Sequence, residues 1–198
     1  MDLLQDHKVD YSHFGPTSEY KEVSGGAYSQ VYINKDVRFA VKKCVDTFTV
    51  MSAFFLLREG LLLKQGFGPK LHGILVKQNR FGLYAFRGYI MQAVKYSLNK
   101  NTLISPRIFL DVAKSLQKMH SLGLIHGDIK PGNILIDQDR AFLTDFGLSG
   151  YSSSSGPSPC RYTDMVFTAC FRAPELLFGS FHIETSADMW ALGITMYI

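Results

Sequence analysis

The sequence has 198 residues, of which 46% are hydrophobic and 19% charged, and its formal net charge is +4. This balance excludes a disordered chain, and the length suffices for one large domain or two small lobes. The positive charge is weak and is not concentrated in a basic block, so we expect no nucleic-acid partner.

The N-terminus and the cysteines bear on cellular location. Residues 1–6 have neither the basic start nor the apolar core of a secretory signal. Cys44, Cys160 and Cys170 form an odd set without CxxC spacing, which is typical of a reducing compartment. The most apolar run, Ala53–Leu63, contains two charges and is too short to span a bilayer. We therefore expect an intracellular protein, cytoplasmic or nuclear, with no membrane partner.

The first half of the chain predicts a small antiparallel lobe. Residues 1–18 are polar and read as an extension without assignable structure. Apolar and β-branched runs separated by turn residues then predict five strands. These are Tyr20–Ser24, Tyr28–Ile33, Val37–Cys44, Leu71–Val76 and Leu83–Gln92. The Leu- and Phe-rich stretch Phe48–Gln65 predicts a helix between the third and fourth strands.

From Ala93 onward the pattern favours helices. Ser105 and Pro106 form a typical N-cap and first-turn pair. They begin a helix whose apolar residues recur at helical spacing. These residues are Phe109, Val112, Ala113, Leu116 and Met119. A last helix is predicted to follow the capping residues Thr185 and Ser186.

Between these helices the pattern predicts a hairpin with polar residues at its open end. Its strands are Asn133–Ile136 and Ala141–Thr144. A hairpin of this length would bring Asp128, Asn133 and Asp145 to one edge, with Lys130 beside them. This set suits a magnesium–nucleotide site, because oxygen ligands hold Mg²⁺ and a free carboxylate orients a hydroxyl nucleophile.

These segments resemble the signatures of eukaryotic serine/threonine protein kinases. His126–Asn133 (HGDIKPGN) is similar to the catalytic loop, and Asp145–Gly147 is similar to the metal-binding DFG. Ala173–Glu175 resembles the APE motif, and Asp188–Gly193 resembles the start of the central helix, whose aspartate ties the catalytic loop in place. The resemblance covers residues 20–198 and implies an α+β, two-lobed protein-kinase-like fold. Its expected parts are an extension (1–18), a small lobe (19–93) and a partial, mainly helical large lobe (94–198).

The resemblance also implies a role for each polar residue of the hairpin. Asp128 would orient the substrate hydroxyl, and Lys130 would steady the γ-phosphate. Asn133 and Asp145 would ligate Mg²⁺. Thr168 would form hydrogen bonds with Asp128 and Lys130. Because Lys130 and Thr168 resemble the residues of serine/threonine kinases, we expect transfer from Mg-ATP to Ser or Thr of a protein substrate.

In the small lobe the resemblance implies an ATP-binding surface. Lys42 matches the lysine that holds the α- and β-phosphates, and Glu59 on the following helix would orient it. A glycine-rich loop, the strand that carries Lys42 and the hinge would line the nucleotide. The expected lining residues are Val23, Ser24, Gly26, Tyr28, Val31, Ala40, Met91, Gln92 and Val94.

The chain departs from the family pattern at several points. Ser24 and Ser29 replace two loop glycines, and Gly127 replaces the arginine that binds an activation-loop phosphate. The family also continues with further helices, including the arginine that pairs with the APE glutamate, here Glu175. We therefore expect apolar side chains to be exposed on the last helix. They are Met189, Trp190, Leu192 and Ile194. A fragment, a protein partner that covers this end of the large lobe, and a naturally minimal kinase are the three alternatives.

Two other functions stay open. A weak or inactive pseudokinase, acting as a binding module, is favoured by the altered glycine loop and disfavoured by the filled catalytic positions. A small-molecule phosphotransferase of the aminoglycoside- or choline-kinase type also carries His-Gly-Asp with a downstream Asn. This second alternative is disfavoured by Lys130, Phe146-Gly147 and the segment Thr168–Glu175.

Overall fold

The computed structural model describes residues 19–25, 29–45, 50–78, 81–82, 84–99, 105–154 and 167–197. The predicted N-terminal extension, the loop residues Gly26 and Tyr28, and Cys160 lie outside the described residues. The chain divides into two compact units, Met1–Val94 and Lys95–Ile198.

The described residues of the first unit form an antiparallel sheet and a helix, as predicted. Its strands are β1 (Tyr20–Gly25), β2 (Ser29–Asn34), β3 (Phe39–Cys44), β4 (Leu71–Gln78) and β5 (Tyr84–Gln92), and its helix is α1 (Val50–Lys64). The strand order is β1-β2-β3-β5-β4. The helix packs against β5, β3 and β4, so that one face of the sheet is covered.

The alternation of side chains along β3 determines which of them face α1. Ala40, Lys42 and Cys44 are buried, whereas Lys43 is half-buried and lies with its Nζ 4.6 Å from the centre of the Tyr32 ring. This period of two is the ordinary geometry of a strand. It directs the Lys42 side chain inward, towards the covered face of the sheet.

Gly88 on β5 allows an unusually close approach between β5 and β3. Its φ is +153°, and it pairs with Lys43 in the β3–β5 register. A Cβ at this position would lie 2.1 Å from the backbone oxygen of Lys42. Only glycine fits such an approach, so Gly88 contributes directly to the placement of the Lys42 backbone.

The second unit combines helices with short strands. The helices are α2 (Pro106–His120), α3 (Pro174–Leu177) and α4 (Thr185–Tyr197), and the strands are β6 (Tyr96–Ser97), β7 (Leu124–Ile125), β8 (Ile134–Asp137), β9 (Arg140–Leu143) and β10 (Gly150–Tyr151). The predicted hairpin is β8–β9, and β6 extends it to a three-stranded sheet in the order β6-β8-β9. A short 3-10 turn, Pro131–Asn133, precedes β8.

The buried face of α2 differs slightly from the prediction. Ile108, rather than Phe109, is fully buried together with Val112, Leu116 and Met119, and Ala113 is half-buried. Ser105 occupies the N-cap position, as predicted, but its side chain makes no capping hydrogen bond. The helix therefore gains its stability from its apolar face rather than from a side-chain cap.

The expectation of exposed apolar residues on α4 is wrong for one of the four. Met189 and Trp190 are 50% and 45% exposed and Ile194 is half-buried, but Leu192 is only 4% exposed. Leu192 lies on the inner face of the helix with Ala191 and Thr195. Within the described ranges, no helix is both long and apolar enough to cross a membrane.

Candidate active site

Three of the polar residues singled out in the sequence donate hydrogen bonds to the carboxylate of a fourth, Asp128. Its Oδ1 accepts hydrogen bonds from the Thr168 backbone N–H (3.0 Å) and hydroxyl (2.8 Å). Its Oδ2 accepts from Lys130 Nζ (2.7 Å) and Asn133 Nδ2 (2.9 Å). Lys130 Nζ also lies 2.9 Å from Thr168 Oγ1. We call Asp128, Lys130, Asn133 and Thr168 the Asp128 cluster.

The Asp128 cluster is largely shielded from water. The side chain of Asp128 is 8% exposed and that of Lys130 is 30% exposed. Hydrogen bonds with an ionised partner are short and strong, and burial makes an unpaired charge costly. The two oxygens of Asp128 are therefore held in one orientation, with the accessible Lys130 ammonium beside them.

Asp188 on α4 anchors the loop that carries Asp128 through hydrogen bonds to its backbone. Asp188 is fully buried, and its two oxygens accept the backbone N–H groups of Gly127 (3.0 Å) and His126 (2.7 Å). The ring of His120, at the end of α2, lies 2.9 Å from Asp188 Oδ2. The tie between Asp188 and the loop was expected from the sequence, but His120 was missed. No local pattern connects two residues that are 68 positions apart.

Gly127 links the same loop to the segment that precedes Thr168. Its φ is +83°, a left-handed conformation that favours glycine. Its carbonyl accepts the Phe167 N–H at 2.6 Å, and the Phe167 carbonyl in turn accepts Arg172 Nη2 at 3.1 Å. Phe167 is buried with φ +61°. The backbone immediately before Asp128 is therefore hydrogen-bonded to the backbone immediately before Thr168.

The two predicted metal ligands lie at the same end of the β8–β9 hairpin. The N–H of Thr144, next to Asp145, donates to the Asn133 carbonyl at 3.0 Å. Asn133 Nδ2 donates to the backbone oxygen of Asp128 (2.8 Å) as well as to its carboxylate, so that the amide oxygen is the remaining acceptor of this side chain. His126 packs on Phe146 with ring centres 5.0 Å apart.

The chemistry of this donor set fits magnesium. The described part of the chain contains no group of three or more His, Cys, Asp or Glu side chains that could hold a metal. Mg²⁺ usually takes only one or two protein oxygens and completes its shell with phosphate and water. One amide and one carboxylate, those of Asn133 and Asp145, match that mode rather than an all-protein cage.

In the first unit Lys42 and Glu59 form a buried ion pair. Lys42 Nζ lies 2.7 Å from Glu59 Oε2, and the side chains are 10% and 1% exposed. The β2–β3–β5 register places Val31 opposite Lys42 and Ala40 opposite Met91. Of the other predicted lining residues, Ala40, Met91 and Val94 are buried, Val31 and Gln92 are half-buried, and Val23 and Ser24 are exposed.

Comparison with known proteins identifies the family. Residues 84–198, more than half of the chain, match the family model described as protein kinase domain. The chain is 30% identical over 186 residues to a probable serine/threonine-protein kinase of Dictyostelium discoideum. This match covers 89% of the chain and 36% of that relative. It is 30% identical over 190 residues to a probable cell division protein kinase of Encephalitozoon cuniculi (89% and 58%). It is 32% identical over 189 residues to cyclin-dependent kinase F-4 of Oryza sativa subsp. japonica (89% and 40%).

These relatives are longer than the chain, which spans between 36% and 58% of their length. The matching family model begins at β5 and includes every residue of the Asp128 cluster, Asp145 and Asp188. The chain therefore belongs to the protein kinase domain family.

Proposed function

We propose that the protein transfers the γ-phosphoryl group of Mg-ATP to Ser or Thr hydroxyls of protein substrates. The observation that carries this proposal is the Asp128 cluster. A substrate hydroxyl needs a carboxylate that is fixed in space and a cation close to the transferring phosphate. Asp128 supplies the first, and Lys130, at 2.7 Å from it, supplies the second.

The phosphoryl acceptor would be oriented by the two oxygens of Asp128. Its hydroxyl would take the place of one of the present donors, and Asp128 would accept the proton as the new O–P bond forms and the bond to ADP breaks. Thr168 holds Oδ1 through two hydrogen bonds, so Oδ2 is the oxygen whose partner, Lys130, is accessible to solvent. Lys130 would turn to the γ-phosphate during transfer, where its charge offsets the charge that develops there.

The nucleotide and its metal would be held by the remaining candidates. Bound Mg²⁺ would neutralise charge on the β- and γ-phosphates, and Asn133 and Asp145 are the residues that would ligate it. Lys42 would contact the α- and β-phosphates, and Glu59 at 2.7 Å orients its ammonium. Val31, Ala40, Met91 and Val94 would provide the apolar surface for the adenine, next to the hinge residue Gln92.

The test is transfer of labelled γ-phosphate by the purified 198-residue chain. The label would be offered with Mg²⁺ to a mixture of Ser- and Thr-containing proteins, and separately to aminoglycosides and choline. Asp128→Asn is the test variant. Asp139→Asn is the matched control, because it makes the same chemical change at a 61% exposed side chain in the β8–β9 turn. We expect label on protein Ser or Thr, retained in Asp139→Asn and reduced at least about a thousandfold in Asp128→Asn.

Other outcomes decide between the alternatives. Label on an aminoglycoside or choline would overturn the substrate class. Thermal stabilisation by Mg-ATP without transfer to any acceptor would favour the pseudokinase interpretation. Transfer that survives in Asp128→Asn would contradict the role that is assigned to Asp128.

A further inference from the structure

A second carboxylate, that of Asp111 on α2, contacts the hairpin that carries the candidate metal ligands. Asp111 lies in the middle of α2, and its side chain is 13% exposed. Its Oδ2 accepts Arg140 Nε at 2.7 Å and the backbone N–H of Ala141 at 3.2 Å. Both donors belong to β9.

The bond to Ala141 is made at the edge of a sheet. In the order β6-β8-β9, β9 has a neighbour on one side only. An edge strand presents backbone N–H groups that need a partner, and a hairpin without support is only marginally stable in water. Asp111 provides that partner for Ala141 and joins β9 to α2, which packs along it.

The pairing of β8 with β9 connects the contact at Ala141 to the open end of the hairpin. Four residue pairs join β8 to β9, from Asp137 with Arg140 at the turn to Ile134 with Leu143 at the open end. Beyond that pair the Thr144 N–H bonds the Asn133 carbonyl. Because paired strands move as one ladder, a tilt or slip at Ala141 displaces Asn133 and Asp145, which lie about 10 Å and about 13 Å away along the strands.

The charges around Asp111 suit this contact. Burial alone would raise its pKa, but the hydrogen bonds from Arg140 and the Ala141 N–H, and the charges of Arg140 and Arg107, lower the pKa below its ordinary value. The carboxylate is therefore the form that this environment favours at neutral pH.

We propose that Asp111 is a positioning residue. By accepting hydrogen bonds from Arg140 and the Ala141 N–H, it holds the β8–β9 hairpin so that Asn133 and Asp145 can ligate the magnesium of the nucleotide. The inference rests on the proposed function, since it takes Asn133 and Asp145 as the metal ligands. Asp111 itself touches neither metal nor nucleotide.

The test measures metal binding directly and not through activity. Mn²⁺ serves as the probe for the magnesium site, and its binding to the full chain with a non-hydrolysable ATP analogue is followed by electron paramagnetic resonance. We expect Asp111→Ala to weaken Mn²⁺ binding about tenfold, the lower end for groups that orient metal ligands. Asp111→Asn keeps an acceptor oxygen for the Ala141 N–H and should restore part of the affinity.

Controls separate positioning from general stability. Asp139→Asn should bind Mn²⁺ like the wild-type protein. A role in stability alone would lower the melting temperature of Asp111→Ala and leave the Mn²⁺ dissociation constant unchanged, and that result would overturn the proposal. If Asp111→Ala does not fold, Arg140→Ala changes the 54% exposed partner instead. It should weaken Mn²⁺ binding about threefold, and wild-type affinity in this variant would equally refute positioning.

The same titration distinguishes the two proposals. If the wild-type chain and the analogue bind no Mn²⁺, the proposed function fails, and the role of Asp111 falls with it. If the wild-type chain binds Mn²⁺ and every Asp111 and Arg140 variant binds it equally well, only the positioning role is refuted.

Discussion

Gly88→Ala tests whether the placement of Lys42 depends on the close approach of β5 to β3. The added methyl group would lie 2.1 Å from the Lys42 oxygen, 2.8 Å from the Lys43 Cα and 3.0 Å from the Lys42 carbonyl carbon. All three are backbone atoms, so no side chain can swing away. The strand would have to retreat by about 0.9 Å to bring the shortest separation to 3.0 Å.

The cost has two sources. Overpacking of a tight site costs about 1–3 kcal/mol, and a non-glycine residue at φ +153° adds roughly 1–3 kcal/mol of backbone strain. We therefore expect Gly88→Ala to lower the free energy of unfolding by about 2–6 kcal/mol. Because the shift falls on the Lys42 backbone, it should also weaken the Lys42–Glu59 pair.

Gly60→Ala is the matched control in the same unit. Gly60 lies inside α1, and its Cβ would meet the Tyr89 ring at 3.6 Å, an ordinary contact distance. Replacing a helix-interior glycine by alanine stabilises by about 0.5–1 kcal/mol. The two variants should thus change the free energy of unfolding in opposite directions.

The assay is urea denaturation followed by circular dichroism, with hydrogen exchange of β3 and β5 amides as the local measurement. Gly88→Ala should accelerate exchange in both strands, whereas Gly60→Ala should leave it unchanged or slower. A Gly88→Ala variant within about 0.5 kcal/mol of the wild-type protein, the range of a neutral surface substitution, would refute the argument.

Three further predictions concern the buried ion pair, the backbone at Gly127 and the two described cysteines. Lys42→Met should destabilise the first unit by about 3–5 kcal/mol in urea denaturation, because it removes the cation beside buried Glu59. The double variant Lys42→Met/Glu59→Leu should recover most of this loss, because it removes the buried carboxylate as well. An equal loss of stability in both variants would contradict this explanation. Gly127→Ala should lower the stability of the second unit by about 1–2 kcal/mol in thermal melts, because φ is +83°; an unchanged melting temperature would oppose this. Cys170 is exposed and should be alkylated by iodoacetamide in the folded protein. Cys44 should react only after unfolding, because burial raises the pKa of its thiol more than nearby Arg87 lowers it. Peptide mass spectrometry measures both cysteines, and equal native labelling would contradict this assignment.

Much of the architecture could be predicted because its signals are local. The apolar run that ends at Cys44 and the helical spacing after Pro106 each involve neighbouring residues. The strand ends at Cys44 as predicted but begins at Phe39 instead of Val37, and the helix begins at Pro106 as predicted. Prediction failed where packing chooses between adjacent positions. Ile108 is buried in preference to Phe109, and Leu192 is covered although the resemblance implied its exposure. Sequence spacing alone cannot tell which flank of an apolar stripe meets the core.

The sequence by itself determined the family, through motifs that stand in a fixed order from Lys42 to Asp188, and it named every member of the Asp128 cluster. Only the tertiary structure decided how these residues are held. Three hydrogen-bonded contacts hold them: His120 with Asp188, the Phe167 N–H with the Gly127 carbonyl, and the Ala141 N–H of β9 with Asp111. Each joins residues that are distant in the chain, so its energy depends on packing and leaves no local pattern. The physical reason is that a motif specifies chemical groups, whereas their orientation comes from hydrogen bonds that only the folded chain can form.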